Sequence, residues 1–348
     1  MVVADSGLLV GITIKIGGMT NSESSLLTGL SGQQRWKSLK RVSRHRRRPR
    51  RNWMRICSFI RRQDMDQEIQ DYLFDLQGYL ILENAISKPD LDEMNAWIDA
   101  HWEYVENPWE EETEDRRIPR WLGNIETHTY NIENGVNFQN IIEGGDVFQK
   151  LIDHPSWIGL VRKYVHEVNG LSIHENFLNV RGPGGFIHIH CGGHVPLSYL
   201  TFRQENTGEW MVGQINVLMA LNDIGPGDGA PVLVPSSHKC TEIHPRLKVD
   251  GKGLVYDGMS GKPAGTAFAT KEIYLKAGDV VMFTDAITHG SAERTNEGYR
   301  RSIVYRYSPR YVRERFDYPH SKELLARLTP DQRKIIQPTS VRRPPRVV

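Results

Sequence analysis

Residues 277–307 read AGDVVMFTDAITHGSAERTNEGYRRSIVYRY, and this stretch decides what the chain folds into. Val280–Phe283 and Ile303–Tyr307 are short β-prone apolar runs, with a polar turn at Asn296-Glu297-Gly298 between them. The pattern predicts a strand, His289 just beyond its end, and a hairpin connection that returns a second strand beside the first. Arg300 comes eleven positions after His289 and lands across from it. Adjacent strand residues face opposite ways, so only one of Arg300 and Arg301 looks inward.

Similar runs fill the second half of the chain. FLNVRGPGG (177–185), FIHIH (186–190), QINVLMALNDIGPGDG (214–229) and APVLVPSSH (230–238) are strands punctuated by Gly, Pro, Asn and Asp. Helical patterns precede them. MDQEIQDYLFDLQGYLILENAI (65–86) reads as a helix broken at Gly78 and followed by a strand. In SKPDLDEMNAWIDAHWEYV (87–105), Ser87 is the N-cap, Pro89 sits in the first turn, and Leu91, Met94, Ile98 and Trp102 form the buried stripe. Residues 146–167 read as two helices interrupted by Pro155. Residues 106–150 are otherwise polar and aromatic without clear elements, which suits a lid or substrate wall. Helices followed by strands predict a mostly β protein braced by helices, a double-stranded β-helix (jelly-roll, cupin-like) barrel. The expected domains are a basic, disordered leader (1–64), the barrel with its N-terminal helices (65–320), and a C-terminal helix and tail (321–348).

The 348 residues carry a formal net charge of +2, which hides an asymmetry. Residues 1–64 hold fourteen Lys/Arg against three Asp/Glu, a net of +11, so the remainder is −9. The body gets no support from charge for nucleic-acid binding. The leader, with RWKSLKRVSRHRRRPRRNWMRICSFIRR (35–62), fits an RNA- or lipid-binding arm, an organellar transit segment, or an extension outside the working domain. No apolar run approaches the roughly 20 residues of a membrane span. The three cysteines, Cys57, Cys191 and Cys240, form neither a disulfide framework nor a zinc pair, which points to a reducing, cytoplasmic compartment.

Chemistry concentrates in GFIHIHCGGHVPL (185–197). On a regular strand His188 and His190 share a face, with Ile187, Ile189 and Cys191 on the other. That spacing suits a chelating pair, and equally suits one core histidine beside one solvated one. His289 supplies a third imidazole. His194 lies beyond Gly192-Gly193, so its direction is unconstrained.

The sequence resembles the phytanoyl-CoA dioxygenase family of Fe(II)/2-oxoglutarate oxygenases over about residues 66–310. The resemblance is carried by LQGYLILENAIS, by GDGAPVLVPSSHK, and by the opening stretch from Ala277 to Tyr307. It implies that His289 is the distal iron ligand, and that Arg300 binds the far carboxylate of 2-oxoglutarate with help from Ser291. A guanidinium fork matches a carboxylate bidentately, which lysine cannot do. The family's proximal motif is His-x-Asp, completing a two-histidine, one-carboxylate face. This chain departs from it. One alignment sets His190-Cys191-Gly192 on the motif, leaving the acid's place to water or a halide. Another sets His188-Ile189-His190 on it, giving a three-histidine face. In both, His190 is a ligand. His188 is the expected third ligand or else a neighbour that orients one.

The implied activity uses Fe(II), 2-oxoglutarate and O2 to hydroxylate a small or lipid-like molecule, releasing succinate and CO2, with residues 106–150 and 195–213 as substrate walls. A halogenase-like oxygenase and an inactive binding protein are the alternatives. Asp223 and Asp228 read as turn residues. Arg181 and Asn179 stand on a strand whose inward face the sequence leaves open. The glycine-rich GPGG and GPGDG segments lack the Lys-Ser/Thr of a phosphate loop.

Overall fold

The computed structural model describes residues 67–113, 116–129, 135–166, 170–190, 202–203, 206–240, 244, 247–249, 254–256, 269–312, 316 and 318–337. The basic leader, Cys191, Gly192, His194 and the tail from residue 338 onward lie outside the described residues, as does much of 195–213.

Local chemistry sets the entry into the fold. Helix α1 (Gln67–Gln77) stops at Gly78, whose φ of +82° turns the chain into strand β1 (Tyr79–Leu82). Helix α2 (Lys88–Ala100) begins with the Ser87 side chain accepting the Asp90 N–H and buries Leu91, Met94 and Ile98. Trp102 belongs instead to a separate short helix, α3 (Trp102–Glu106).

Residues 106–150 are more regular than their polarity suggests. Strands β2 (Trp109–Glu112) and β3 (Arg117–Pro119) pair as a ribbon. Strands β4 (Trp121–Leu122), β5 (Ile125–His128) and β6 (Val136–Gln139) extend the main sheet, and β6 is buried throughout. A paired strand and a neighbouring loop satisfy the polar side chains: Asn179 Nδ2 donates to Asn137 Oδ1 at 2.8 Å, and Thr127 Oγ1 donates to Pro108 O at 2.6 Å. A loop-like composition therefore covers paired backbone. Helices α4 (Asp146–Gln149) and α5 (Ile158–Val165) follow on either side of Pro155.

The later strands are β7 (Leu171–Arg181), β8 (Ile187–His190), β9 (Ile215–Ala220), β10 (Pro231–Leu233), β11 (Leu247–Val249), β12 (Leu254–Tyr256), β13 (Lys271–Glu272), β14 (Val280–Thr284), β15 (His289–Ser291) and β16 (Arg300–Pro309). Helices α6 (Lys322–Arg327) and α7 (Pro330–Ile336) close the described chain. Among the described residues, one sheet runs β1-β14-β9-β16-β7-β6-β5-β4 and a second runs β13-β10-β15-β8. The simple hairpin expected for 277–307 is corrected here. Strand β9 lies between β14 and β16, and His289 starts a short strand of the second sheet. The connection thus crosses from one sheet to the other and back.

A period of two sorts the main sheet's side chains. From β7, β9 and β16, Leu178, Val180, Val217, Met219, Ile303 and Tyr305 join the core formed with the helices. Their neighbours Phe177, Asn179, Arg181, Asn216, Leu218, Ser302, Val304 and Arg306 face a cavity shared with the second sheet. Arg301 turns away from the cavity and pairs with Asp99 at 2.6 Å. Each large core side chain contributes about 1.5–3 kcal/mol by burial.

Polar tips in the helix-side core are matched. Tyr305 Oη donates to Phe148 O at 2.8 Å; Tyr307 Oη donates to Leu151 O at 2.9 Å and accepts from Trp157 Nε1 at 3.1 Å. Tyr307→Phe strands the indole N–H and the carbonyl, so denaturant unfolding should show a loss of about 1–3 kcal/mol. Among the described residues no helix is long and apolar enough to cross a membrane.

Candidate metal centre

A cavity of about 510 Å³ separates the inner faces of the two sheets. His190, at the end of β8, pairs in register with His289, at the start of β15. Their ring centroids are 4.2 Å apart, and both side chains line the cavity. Each Nδ1 meets the carbonyl of the residue two positions earlier: His190 with His188 O at 2.8 Å, His289 with Ile287 O at 2.7 Å. A carbonyl only accepts, so Nδ1 carries the proton and Nε2 keeps its lone pair. This is how metal-binding histidines are oriented. Burial, reinforced by the neighbouring His289, lowers the His190 pKa to about 3, so it stays neutral, the ligating form.

His188 does not join them. Four residues of β8 oppose three of β15, since His289 pairs with His190 but Ser291 pairs with Ile187. This β-bulge breaks the alternation. Ile187 and His190 line the cavity, whereas His188 is exposed and its ring packs edge-on against Phe186 at 4.9 Å. The same-face expectation for His188 and His190 is thus corrected. Gly290 permits the bulge: a Cβ there would lie 2.6 Å from Ile187 O and 3.0 Å from the His188 carbonyl. Gly290→Ala should force β8 and β15 apart, lower stability by about 1–3 kcal/mol and weaken metal binding. Thermal unfolding and Mn(II) titration measure the two effects.

Two arginines face the cavity from directly opposed positions, Arg300 on β16 and Arg181 on β7. Both are buried. Arg300 Nη1 donates to Gly229 O at 2.5 Å and Nη2 to Asn179 Oδ1 at 3.4 Å, both neutral oxygens. Its Nε has no hydrogen-bond partner among the described residues. Ser291 lines the same cavity, where its hydroxyl accepts from Arg181 Nη1 at 2.5 Å. Burial, then the charge of Arg300, holds the Arg181 pKa well below the ordinary arginine range. Burial, then Arg294, lowers that of Arg300 to about 10. Buried cations in such surroundings favour an anionic guest.

Two buried acids stand nearby, Glu175 in the cavity lining and Asp285 against His289 but outside that lining. Glu175 forms an ion pair with Arg306, Oε2 to Nε at 3.2 Å. Asp285 Oδ1 accepts from Asn216 Nδ2 at 2.7 Å and lies 3.7 Å from His289 Nε2. Among the described residues no three His, Cys, Asp or Glu side chains stand as a ready-made metal cage. Two correctly presented imidazoles beside a buried carboxylate nevertheless suit Fe(II), and the unsatisfied Arg300 Nε suits a carboxylate guest.

A family model described as phytanoyl-CoA dioxygenase (PhyH) matches residues 74–302. The chain belongs to the phytanoyl-CoA dioxygenase family. The chemistry of this family runs on Fe(II), 2-oxoglutarate and O2. A curated relative, the dioxygenase cdmD of Talaromyces verruculosus, is 28% identical over 129 residues, which cover 37% of this chain and 36% of the relative. Only about a third of that relative is therefore spanned. Among solved structures, HygX from Streptomyces hygroscopicus with nickel and 2-oxoglutarate bound gives a TM-score of 0.53 at 17% identity, covering 75% of this chain and 94% of HygX. HygX with iron bound gives 0.52 at 18% identity, with the same coverage. At these identities the likeness is one of fold.

The remaining acid candidates have structural duties. Asp223 takes the Lys276 ammonium at 2.8 Å and the Ala277 N–H at 2.9 Å; Asp228 takes the Gly225 N–H at 2.9 Å and Arg294 at 3.0 Å. Neither lines the cavity. Arg181 and Asn179, undecided from sequence, do line it, and counting in twos along β7 from either finds both. Asp285 escapes sequence reading because Thr284-Asp285 looks like an ordinary strand-end turn. Its only signal is standing four residues before His289.

Proposed function

We propose that this chain is an Fe(II)/2-oxoglutarate-dependent dioxygenase that hydroxylates a small or lipid-like organic molecule, releasing succinate and CO2. One observation carries the reading: His190 and His289, distant in sequence, meet on paired strands in one cavity with Arg300. The facing sheets are read as the two halves of a double-stranded β-helix, the jelly roll, with the site between them.

His190 and His289 would hold the metal through Nε2. When bound, Fe(II) with O2 supplies the oxidising power that couples 2-oxoglutarate decarboxylation to substrate hydroxylation. The protein's share is positioning and shielding. Arg300 and Ser291, with Arg181 beside them, grip the far carboxylate and so set where the keto-acid end of the co-substrate lies. Phe177, Leu218, Leu233, Phe283 and Val304 give the cavity an apolar wall that excludes water. That wall suits the hydrocarbon portion of a substrate.

The test is anaerobic titration of the Fe(II)-loaded protein with 2-oxoglutarate, watching for the weak visible charge-transfer band of the chelate. Its appearance, followed by succinate release on admitting O2, is the expected result. A well-folded protein that binds metal but shows neither would be a binding module instead.

A further inference from the structure

We infer that Asp285 supplies the carboxylate missing from the proximal motif, completing the metal face from the far side of the site. This rests on the dioxygenase reading above and concerns the coordination position that the motif in residues 190–192 leaves without an acid. Ile287 O faces His289 Nδ1 at 2.7 Å, and Asp285 Oδ1 lies 3.7 Å from the ring's other nitrogen, Nε2. Nitrogen and oxygen donors reach a first-row divalent ion at about 2.0–2.2 Å, so donors up to roughly 4 Å apart can share one. The carboxylate is only 2% exposed. An anion in such surroundings needs a cation or firm hydrogen bonds to stay charged.

Its surroundings are those of a held ligand. Asn216 Nδ2 donates to Oδ1 at 2.7 Å, and Gln214 Nε2 donates to Asn216 Oδ1 at 3.1 Å, which fixes the amide's orientation. The Asp285 N–H donates to Gln214 O at 3.0 Å, tying the turn to β9. Ligating carboxylates are themselves hydrogen-bonded in this way. Among the described residues the alternatives are less well placed. His188 is turned outward by the bulge, and Glu175 is engaged by Arg306. Asp285 opens the short turn after β14 and His289 begins β15 at its end, so a small rotation of the carboxyl group brings its oxygen and Nε2 onto a common ion.

The experiment uses the full chain, with Co(II) as a spectroscopic probe and Mn(II) for affinity, in chloride-free buffer and again with chloride. Wild-type protein is expected to bind both metals. Asp285→Ala should lose at least about 100-fold in Mn(II) affinity, and its residual Co(II) spectrum should change with chloride entering the vacated position. Asp285→Asn keeps the shape and the Asn216 contact, and carries the test if the alanine variant does not fold. Wild-type affinity and an unchanged Co(II) spectrum in folded Asp285→Asn or Asp285→Ala would overturn the assignment. Failure of the wild type to bind either metal would overturn the dioxygenase reading and this one together, an outcome distinct from that.

Discussion

Replacing His289 by alanine is expected to abolish Fe(II) binding, and with it the 2-oxoglutarate charge-transfer band and succinate production. Its ring is one of two imidazoles that face each other at 4.2 Å, and each is held by the backbone carbonyl two residues earlier. Removing one leaves His190 with no second nitrogen, and even changes to groups that merely orient ligands cost 10–100-fold in affinity. The loss for a direct ligand should exceed about 100-fold on that scale. His289 is buried and packs its ring against Phe283 at 5.1 Å, so the variant will also unfold more easily. Metal titration must therefore be done where thermal unfolding shows the variant folded. His188→Ala is the matched control. It removes a histidine from the same pair of strands, but one that points to solvent, and should change metal affinity less than about twofold. Equal damage from the two substitutions would show that the bulge does not turn His188 away.

The contrast between these two histidines shows where sequence reading stops. The strands themselves were legible because apolar residues recur with period two and turn residues bound them, and the α2 cap was legible from Ser87 alone. The fate of His188 was not. Counting in twos along Ile187–His190 places the two histidines together, and the count fails because Gly290, a hundred residues further on, lets β15 approach the backbone of β8. Local periodicity cannot register a bulge set by a distant partner. Residues 136–139 failed in the opposite direction. VNFQ looks half polar, yet it is wholly buried because Asn137 and Gln139 find partners on β7. Asp285 has both problems. Its residue type suggests a turn, and only the folded chain places its carboxylate against an imidazole.

Arg300→Met is expected to raise the 2-oxoglutarate dissociation constant by roughly 30- to several-thousand-fold, corresponding to the 2–5 kcal/mol lost when one partner of a buried, hydrogen-bonded charge pair is truncated. Arg181→Met should have a smaller effect in the same direction, about 10–100-fold, corresponding to charge-assisted hydrogen bonds of about 1.5–3 kcal/mol. The ranking follows from their partners. Arg300 donates to Gly229 O and Asn179 Oδ1 but has an Nε without a partner among the described residues, whereas Arg181 Nη1 donates to Ser291, the hydroxyl assigned to the same carboxylate. Arg300→Lys tests the fork: it keeps the charge, loses the planar pair of donors, and should fall between wild type and methionine. A monocarboxylate separates carboxylate binding from general damage. 2-Oxobutyrate has the keto-acid end but no far carboxylate, so its affinity should be the same in wild type, Arg300→Met and Arg181→Met, and in wild type it should be far below that of 2-oxoglutarate. If both arginine variants bound 2-oxoglutarate as tightly as wild type, the two guanidinium groups would be serving the fold or a substrate anion, and the co-substrate would have to enter the cavity in another orientation. If 2-oxobutyrate weakened in parallel with 2-oxoglutarate, the substitutions would be disturbing the metal end of the cavity. That outcome is physically reachable, because Ser291, which accepts from Arg181, lies two residues from His289 on β15.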